Sequence, residues 1–309
     1  MAAMLPESLY DLVTDDDLDL EAPVLVHALS GFLDAGGARA LAVGHLLAAH
    51  ESRTVAEFDL DALYDYRARR PRLVFDTDHY ASIDYPELLL SEVRDERGQG
   101  FLLLHGPEPD FGWRAFNAAV IELVERFGVR RTIGLAAIPW PAPHTRPVGV
   151  TAHATNPELV AGRPTFVGAI EVPGHVAGSL ELALRDSGHE AMGFAAHIPH
   201  YLSQVEFPRA AVALLEEVAV AGDLSFDLAD LVEAARSSDK DIDAQVAQNP
   251  ENVEAVRALE AQYDAVVRGA ESALPLAGDE PLPSGDEIAA QLEEFLREMD
   301  DTGKGQQPE

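Results

Sequence analysis

Apolar residues along this chain follow two rhythms that take turns. Short apolar runs of strand length stand at "APVLVHALSGF" (22–32), "RTVAEFD" (53–59), "VRRTIGLAAIP" (129–139) and "HEAMGFAAHIP" (189–199). Each reads as a strand because the run is too short for a buried helix and several end at glycine or proline. Between them the apolar positions return every three or four residues, the period of one helix face. That spacing predicts helices in "LDAGGARALAVGHLLAAH" (33–50), "WRAFNAAVIELVERFG" (113–128), "HVAGSLELALRDSG" (175–188) and "FPRAAVALLEEVAVAG" (207–222). Asp34 is placed to cap the first of these, and in the second Phe116, Val120, Leu123, Val124 and Phe127 share a face that Gly128 closes. The opening strand, helix and strand predict a right-handed βαβ unit. In "LLLSEVRDERGQGFLLLHGPEP" (88–109) two strand-like runs flank "ERGQG", which predicts an antiparallel hairpin. Further strands are expected over 148–154 and over 165–171.

The alternation stops at Gly222. Beyond it "DLADLVEAARSSD" and "DIDAQVAQNPENVEAVRALEAQYDAVV" have helical spacing only, and Asn249-Pro250 supplies a cap and a first-turn proline that divide the run into two helices. "ALPLAGDEPLPSGDE" reads as a linker, "EIAAQLEEFLREMDD" as a short acidic helix, and "TGKGQQPE" as a disordered tail. The expected fold class is therefore α/β, a three-layer α/β/α core around a mixed, largely parallel sheet, with a helical addition at the C-terminus. Residues 1–221 are assigned to the core, 222–272 to an acidic helical segment, and 273–309 to the linker, helix and tail.

Charge narrows the partners. The 309 residues carry 22 Lys and Arg against 54 Asp and Glu, a formal balance of −32, which repels nucleic acid and anionic membrane surfaces. Residues 222–309 alone hold 22 acidic and 6 basic side chains. Cysteine is absent, so disulfides, thiolate metal sites and cysteine nucleophiles are excluded together. Lys240 and Lys304 are the only lysines, which leaves none in the first 239 residues for a phosphate loop or a Schiff base. The N-terminal stretch has neither the basic patch nor the apolar core of a targeting peptide, and no run reaches membrane-spanning length; a cytoplasmic location is expected.

Familiar catalytic signatures are missing: no G-x-S-x-G, H-E-x-x-H or G-x-G-x-x-G occurs. Gly31, Gly36 and Gly37 form a glycine-rich strand-to-helix turn, which most simply eases a tight turn. "FDTDHY" (75–80) gathers Asp76, Asp78 and His79, and in so acidic a chain it reads as a solvated loop; no metal and no cofactor are expected. Position is more informative. His27, His105, His144 and His200 each stand at or just past a strand, and if those strands are parallel their carboxyl ends share one edge, where open α/β sheets bind ligands. Asp34, Glu108, Asp110, Trp140, Arg146 and Tyr201 join that rim. In "IPWPAPHTRP" (138–147) prolines 139, 141, 143 and 147 stiffen the chain as it leaves a strand, so Trp140, His144 and Arg146 are expected to be displayed with little ordering entropy left to lose.

"GFLDAGG" (31–37), "LLLHGPEPDFGWRAF" (102–116), "PAPHTRP" (141–147) and "IPHYL" (198–202) resemble sequence blocks of the proteasome assembly chaperone family in its actinobacterial branch, and "ALEAQYD" (258–264) is similar to the helical end of those members. The resemblance implies a phosphorylase- and hydrolase-like α/β/α core and a chaperone-like role that runs through protein contacts and has no defined reaction, with proteasome subunits as the partner. The alternative is a hydrolase- or ligase-like enzyme using the His/Glu/Arg rim. The chain ends Gln307-Pro308-Glu309, unlike the hydrophobic-tyrosine ending with which some such chaperones dock. A homo-oligomer, a trimer ahead of a dimer, is expected because Ile242, Val246, Val253, Val256, Leu259, Tyr263, Val266 and Val267 are too many apolar side chains to leave in water. Helices folded back on their own core would hide them equally well.

Overall fold

A computed structural model describes residues 9–13, 18, 20–31, 33–163 and 169–272. The linker, acidic helix and tail expected over 273–309 lie outside them, as does most of the strand expected over 165–171; its described end, Ala169–Glu171, is not in a strand. The chain divides into two compact units, Met1–Tyr263 and Asp264–Glu309.

The strands are β1 (Tyr10–Leu12), β2 (Val24–Ser30), β3 (Ser52–Phe58), β4 (Arg72–Asp76), β5 (His79–Asp84), β6 (Leu89–Arg94), β7 (Gly100–Pro107), β8 (Arg131–Trp140), β9 (Val150–Ala154) and β10 (Ala191–Pro199). The helices are α1 (Ala38–Ala49), α2 (Leu60–Leu63), α3 (Trp113–Arg126), α4 (Val176–Asp186), α5 (Pro208–Gly222), α6 (Ala229–Ala247) and α7 (Pro250–Ser272). Eight strands form one mixed sheet in the order β1-β3-β6-β7-β2-β8-β10-β9. β2 is parallel to β7 and β8, β10 is parallel to β8, and β6 runs antiparallel between β3 and β7, so β3, β7, β2, β8 and β10 all point the same way. The crossover from β2 to β3 through α1 passes over two strands, because the β6–β7 hairpin is inserted between them.

Both faces of the sheet are covered, which is why its central strands are apolar almost throughout. One layer has Val24, Val26, Phe101, Leu103, Ile133 and Phe194 from the strands, packed against α1 and α5. The other has Leu25, Leu102 and Leu104 packed against Phe116, Val120 and Leu123 of α3 and Leu180 and Leu184 of α4. The alternation of consecutive β2 residues between the two layers is the period of two that a strand imposes. The expected α/β class is thus found.

Two differences concern elements. "FDTDHY" is not a loop: it is the tip of a β4–β5 hairpin outside the main sheet, paired Phe75 to Tyr80 and Asp76 to His79, with Thr77 in the left-handed region at φ 53°. And β1 pairs antiparallel with β3, a three-residue edge strand too short for periodicity to reveal. The split at Asn249-Pro250 falls where expected, between α6 and α7. α6 packs on α5, and Leu231 and Ile242, each 6% exposed, join the core layer of α1 and α5. Of the two readings of the acidic helices, α6 takes the one in which they fold back on their own core.

Candidate functional site

The carboxyl ends of β3, β7, β2, β8 and β10 define one edge, and the residues singled out for the rim follow or nearly end one of these strands, except His27, which sits in the middle of β2 and is buried inside the sheet rather than on its edge. Hydrogen bonding then separates them. Asp34, just past β2, spends both carboxylate oxygens on α1, accepting from the Arg39 N–H (2.8 Å) and the Ala40 N–H (3.0 Å). Glu108, past β7, accepts from the Val176 N–H at the start of α4 (2.5 Å), while Gly31 gives it room: a Cβ there would sit 2.6 Å from Glu108 Oε2. A carboxylate at a helix N-terminus meets unpaired N–H groups and the positive end of the dipole, so both acids are placed to hold helices. Asp110 is bound by the Arg69 guanidinium (2.6 Å). His105, still inside β7, meets the Ser91 hydroxyl at 3.0 Å, and burial lowers its pKa.

Trp140 and His197 of β10 stack with centroids 4.1 Å apart, and the His197 Nε2 lies 2.8 Å from the Thr151 hydroxyl. Burial pushes the His197 pKa down to about 4, so the ring is neutral near pH 7.

The proline-rich stretch after β8 does something other than the outward display expected of it. His144 is 2% exposed. Its Nδ1 lies 2.6 Å from the Tyr201 hydroxyl, which also accepts from the His144 backbone N–H (2.9 Å), and its Nε2 lies 3.0 Å from Asp243 Oδ1 on α6. Arg209 of α5 donates to the His144 carbonyl (3.1 Å) and forms an ion pair with Asp239 of α6. Arg146 pairs with Glu260 of α7 (3.2 Å), Thr145 donates to the same carboxylate (2.5 Å), and Tyr263 Oη donates to the Pro147 carbonyl (3.4 Å). The stiff loop is therefore the anchor for α6 and the first part of α7. Its prolines lower the entropy lost when the loop is held in one shape, and the helices collect that advantage.

Sequence reasoning placed His27 on the rim and missed His153 and His197, with which it forms a row of imidazoles on the face of the sheet that α4 covers. Three glycines, Gly134 and Gly193 within strands and Gly149 just before β9, each leave space that a ring fills: a Cβ at Gly134 would lie 2.6 Å from His27, at Gly193 2.4 Å from His153, and at Gly149 2.8 Å from His197. His153 binds Glu181 of α4 at 2.7 Å. His27 is 4% exposed; burial, only partly opposed by Glu181, lowers its pKa to about 4. Among the described residues its Nδ1 and the Nη2 of Arg39, also buried, have no hydrogen-bond partner. Glycine inside a strand is the available signal for such close approach. Among the described residues no group of three or more His, Asp or Glu is arranged to hold a metal ion.

His200, exposed, and Tyr201 reach a cavity of about 800 Å³ between the end of β10 and α6 and α7. Its walls are apolar at Val205, Ile242, Val246 and Val256 and acidic at Glu206 and Asp241. Burial raises the Tyr201 pKa, which keeps its hydroxyl protonated. Of the rim residues, Tyr201 meets both His144, through its hydroxyl, and His200, whose ring stands edge-on to its own with centroids 5.4 Å apart, while Asp34, Glu108 and Trp140 lie in separate contacts.

Among solved structures, a Mycobacterium tuberculosis protein of unknown function is 47% identical, with a TM-score of 0.82 over 86% of this chain and 92% of that one. A Corynebacterium glutamicum protein of unknown function is 37% identical, with a TM-score of 0.80 over 84% and 98%. A proteasome-assembly chaperone homologue from Mycobacterium tuberculosis is 31% identical, with a TM-score of 0.70 over 75% of this chain and 99% of that one. No curated protein matches the chain. The sequence pattern of the PAC2 family matches residues 28–246, from the middle of β2 to the penultimate residue of α6, and with these relatives it establishes that the chain belongs to the PAC2 family.

Proposed function

We propose that this protein is a chaperone-like interaction protein that binds proteasome subunits, in the cytoplasm, with no reaction of its own. The observation that carries the reading is the 31% identical relative: all but a small part of that chain's length is matched here, and it is a proteasome-assembly chaperone homologue. The geometry agrees with a binding role. Asp34, Glu108 and His144 are occupied in holding α1, α4 and α6, so their chemistry serves the scaffold. The partner meets the edge beside them, at His200, Tyr201 and Trp140, with His105 and Arg146 supporting that edge from within.

Co-expression with tagged proteasome α and β subunits of the source organism tests this. Co-purification, with assembly intermediates on native gels that shift when the protein is withdrawn, is the expected result. Failure to associate with either subunit at micromolar concentration overturns it. Self-association belongs to the same proposal, a closed homo-oligomer with three copies ahead of two. Its support must come from a surface other than Ile242 and Val256, since both are buried within the chain itself.

A further inference from the structure

Strand pairing lines up His27, Gly134, Gly193 and His153 in one row across β2, β8, β10 and β9. The two imidazoles lean inward over the two glycines, since a Cβ at either glycine would collide with its neighbouring ring. The next row toward the carboxyl edge on the same face pairs Ala136 with Ala195, and the one after it pairs Ile138 with His197. Side chains on one face of a strand repeat about every 6.6 Å, so the two alanines floor a narrow notch between the imidazole pair and the Trp140–His197 stack. Ala136, Ile138, Ala195 and His197 are half-buried, whereas Leu135, Ala137, Phe194 and Ala196, which face the other layer, are buried. Solvent therefore reaches this end of the face.

A cation is aimed at the same place. Arg39 belongs to α1, which packs on the opposite face of the sheet. Yet the pKa values of His27 and His175, lowered first by burial, are lowered further by the Arg39 charge, so the guanidinium reaches around the carboxyl edge toward both rings. Arg39 is 6% exposed; among the described residues it forms no ion pair, and neither its Nη2 nor the Nδ1 of His27 has a hydrogen-bond partner. The carboxylates around it are engaged elsewhere. Asp34 and Glu108, whose charges act on Arg39, accept from N–H groups of α1 and α4, and Glu181 holds His153. Burying a cation without a hydrogen-bonded partner is costly, and in a chain with only 22 basic side chains its retention calls for an anion from outside.

We infer that the notch over Ala136 and Ala195 binds the carboxylate of a small organic acid, held by the Arg39 guanidinium and the His27 ring, with the body of the acid leaving past Trp140. A carboxylate fits better than a phosphate for two reasons. It is planar and matches the fork of a guanidinium. It also brings a single charge to a place where Glu108 and Glu181 stand close enough to repel a dianion. The inference goes beyond the interaction role and rests neither on the proteasome partner nor on self-association.

Titration of the full chain with sodium benzoate and sodium acetate, followed by NMR of the imidazole carbon-bound protons, tests it. Saturable shifts of the His27 and His153 signals, assigned by their loss in His27→Gln and His153→Gln, are expected with dissociation constants of about 1 mM or below. Benzamide, which has the same shape without the charge, should shift neither signal. Arg39→Met should weaken benzoate binding by about tenfold to a hundredfold, the worth of hydrogen bonds to a charged group. If that variant melts below the parent, Ala136→Leu asks the same question from the half-buried floor: its larger side chain fills the notch, and the shifts should vanish while the circular-dichroism melt matches the parent. Absence of saturable shifts up to about 50 mM of either acid overturns the inference. Benzoate binding that survives both variants overturns it as well, because the acid then sits elsewhere. Benzamide or inorganic phosphate binding as tightly as benzoate overturns the assignment of a carboxylate.

Discussion

Replacing His144 by alanine asks whether the proline-rich loop anchors the C-terminal helices. Two side-chain interactions disappear. The contact with the Tyr201 hydroxyl at 2.6 Å is shielded from solvent, and a hydrogen bond of that kind contributes about 1 kcal/mol. The contact with Asp243 at 3.0 Å contributes less, about 0.5 kcal/mol, because the Asp243 side chain is 66% exposed and water replaces the partner readily. Removing a ring from a site 2% exposed leaves a small void that adds about 1 kcal/mol. The total, about 2 to 3 kcal/mol, should appear in urea unfolding. It should also appear locally, since α6 is held to the loop by His144 and Arg209: amide hydrogen exchange over 229–263 should accelerate by about thirtyfold or more, while β2 and β8 change less. Tyr201→Phe provides the partner for a double-mutant cycle, with a coupling of about 1 kcal/mol expected. If His144→Ala alters stability by less than about 0.5 kcal/mol and α6 exchanges as in the parent, the loop is not the anchor and the reasoning fails.

Other substitutions probe the sheet and its edge. His27 has a pKa lowered by burial from 6.5 to about 4, so the folded state binds fewer protons than the unfolded one; its contribution is intact above pH 6.5 and is lost as pH falls through 4, roughly 3 kcal/mol in all. Denaturation between pH 7 and 4 should show that loss, reduced in His27→Gln, and an identical pH profile in the variant would exclude His27 as its source. Gly106 has φ of 128°, and a Cβ there would stand 2.2 Å from the Glu87 carbonyl oxygen, so Gly106→Ala should cost more than about 3 kcal/mol and depress soluble yield; a melting temperature near the parent's would count against it. Asp34→Ala removes the acceptor for two N–H groups of α1 and should cost about 1 kcal/mol by urea titration, with an unchanged midpoint arguing that water replaces the carboxylate.

What the sequence determined by itself is what short-range physics governs. The runs at 22–32 and 129–139 could only be buried strands, the spacing of Phe116, Val120 and Leu123 could only serve a helix with one buried face, and Asn249-Pro250 had to end one helix and begin another. Each follows from hydrogen bonds and side-chain periods within a few residues. The family blocks were legible for the same reason, being local strings. The tertiary structure decided which distant residues meet. His144 looked displayed because its loop is stiff, yet its partners Tyr201 and Asp243 are 57 and 99 positions away, and only the packing of α5 and α6 beside β10 brings them to it. The space that Gly134 leaves for His27 exists because β8 is the neighbour of β2, a consequence of strand order that no window along the chain contains. The β4–β5 hairpin escaped for a related reason. Its aromatic residues alternate with Asp, Ser and His as a loop's would, and a strand is defined by a partner across the ladder, so its identity is settled by pairing. Local patterns specify elements because the backbone satisfies its hydrogen bonds nearby; sites are specified by contacts whose sequence separation is set by the order in which the sheet is assembled.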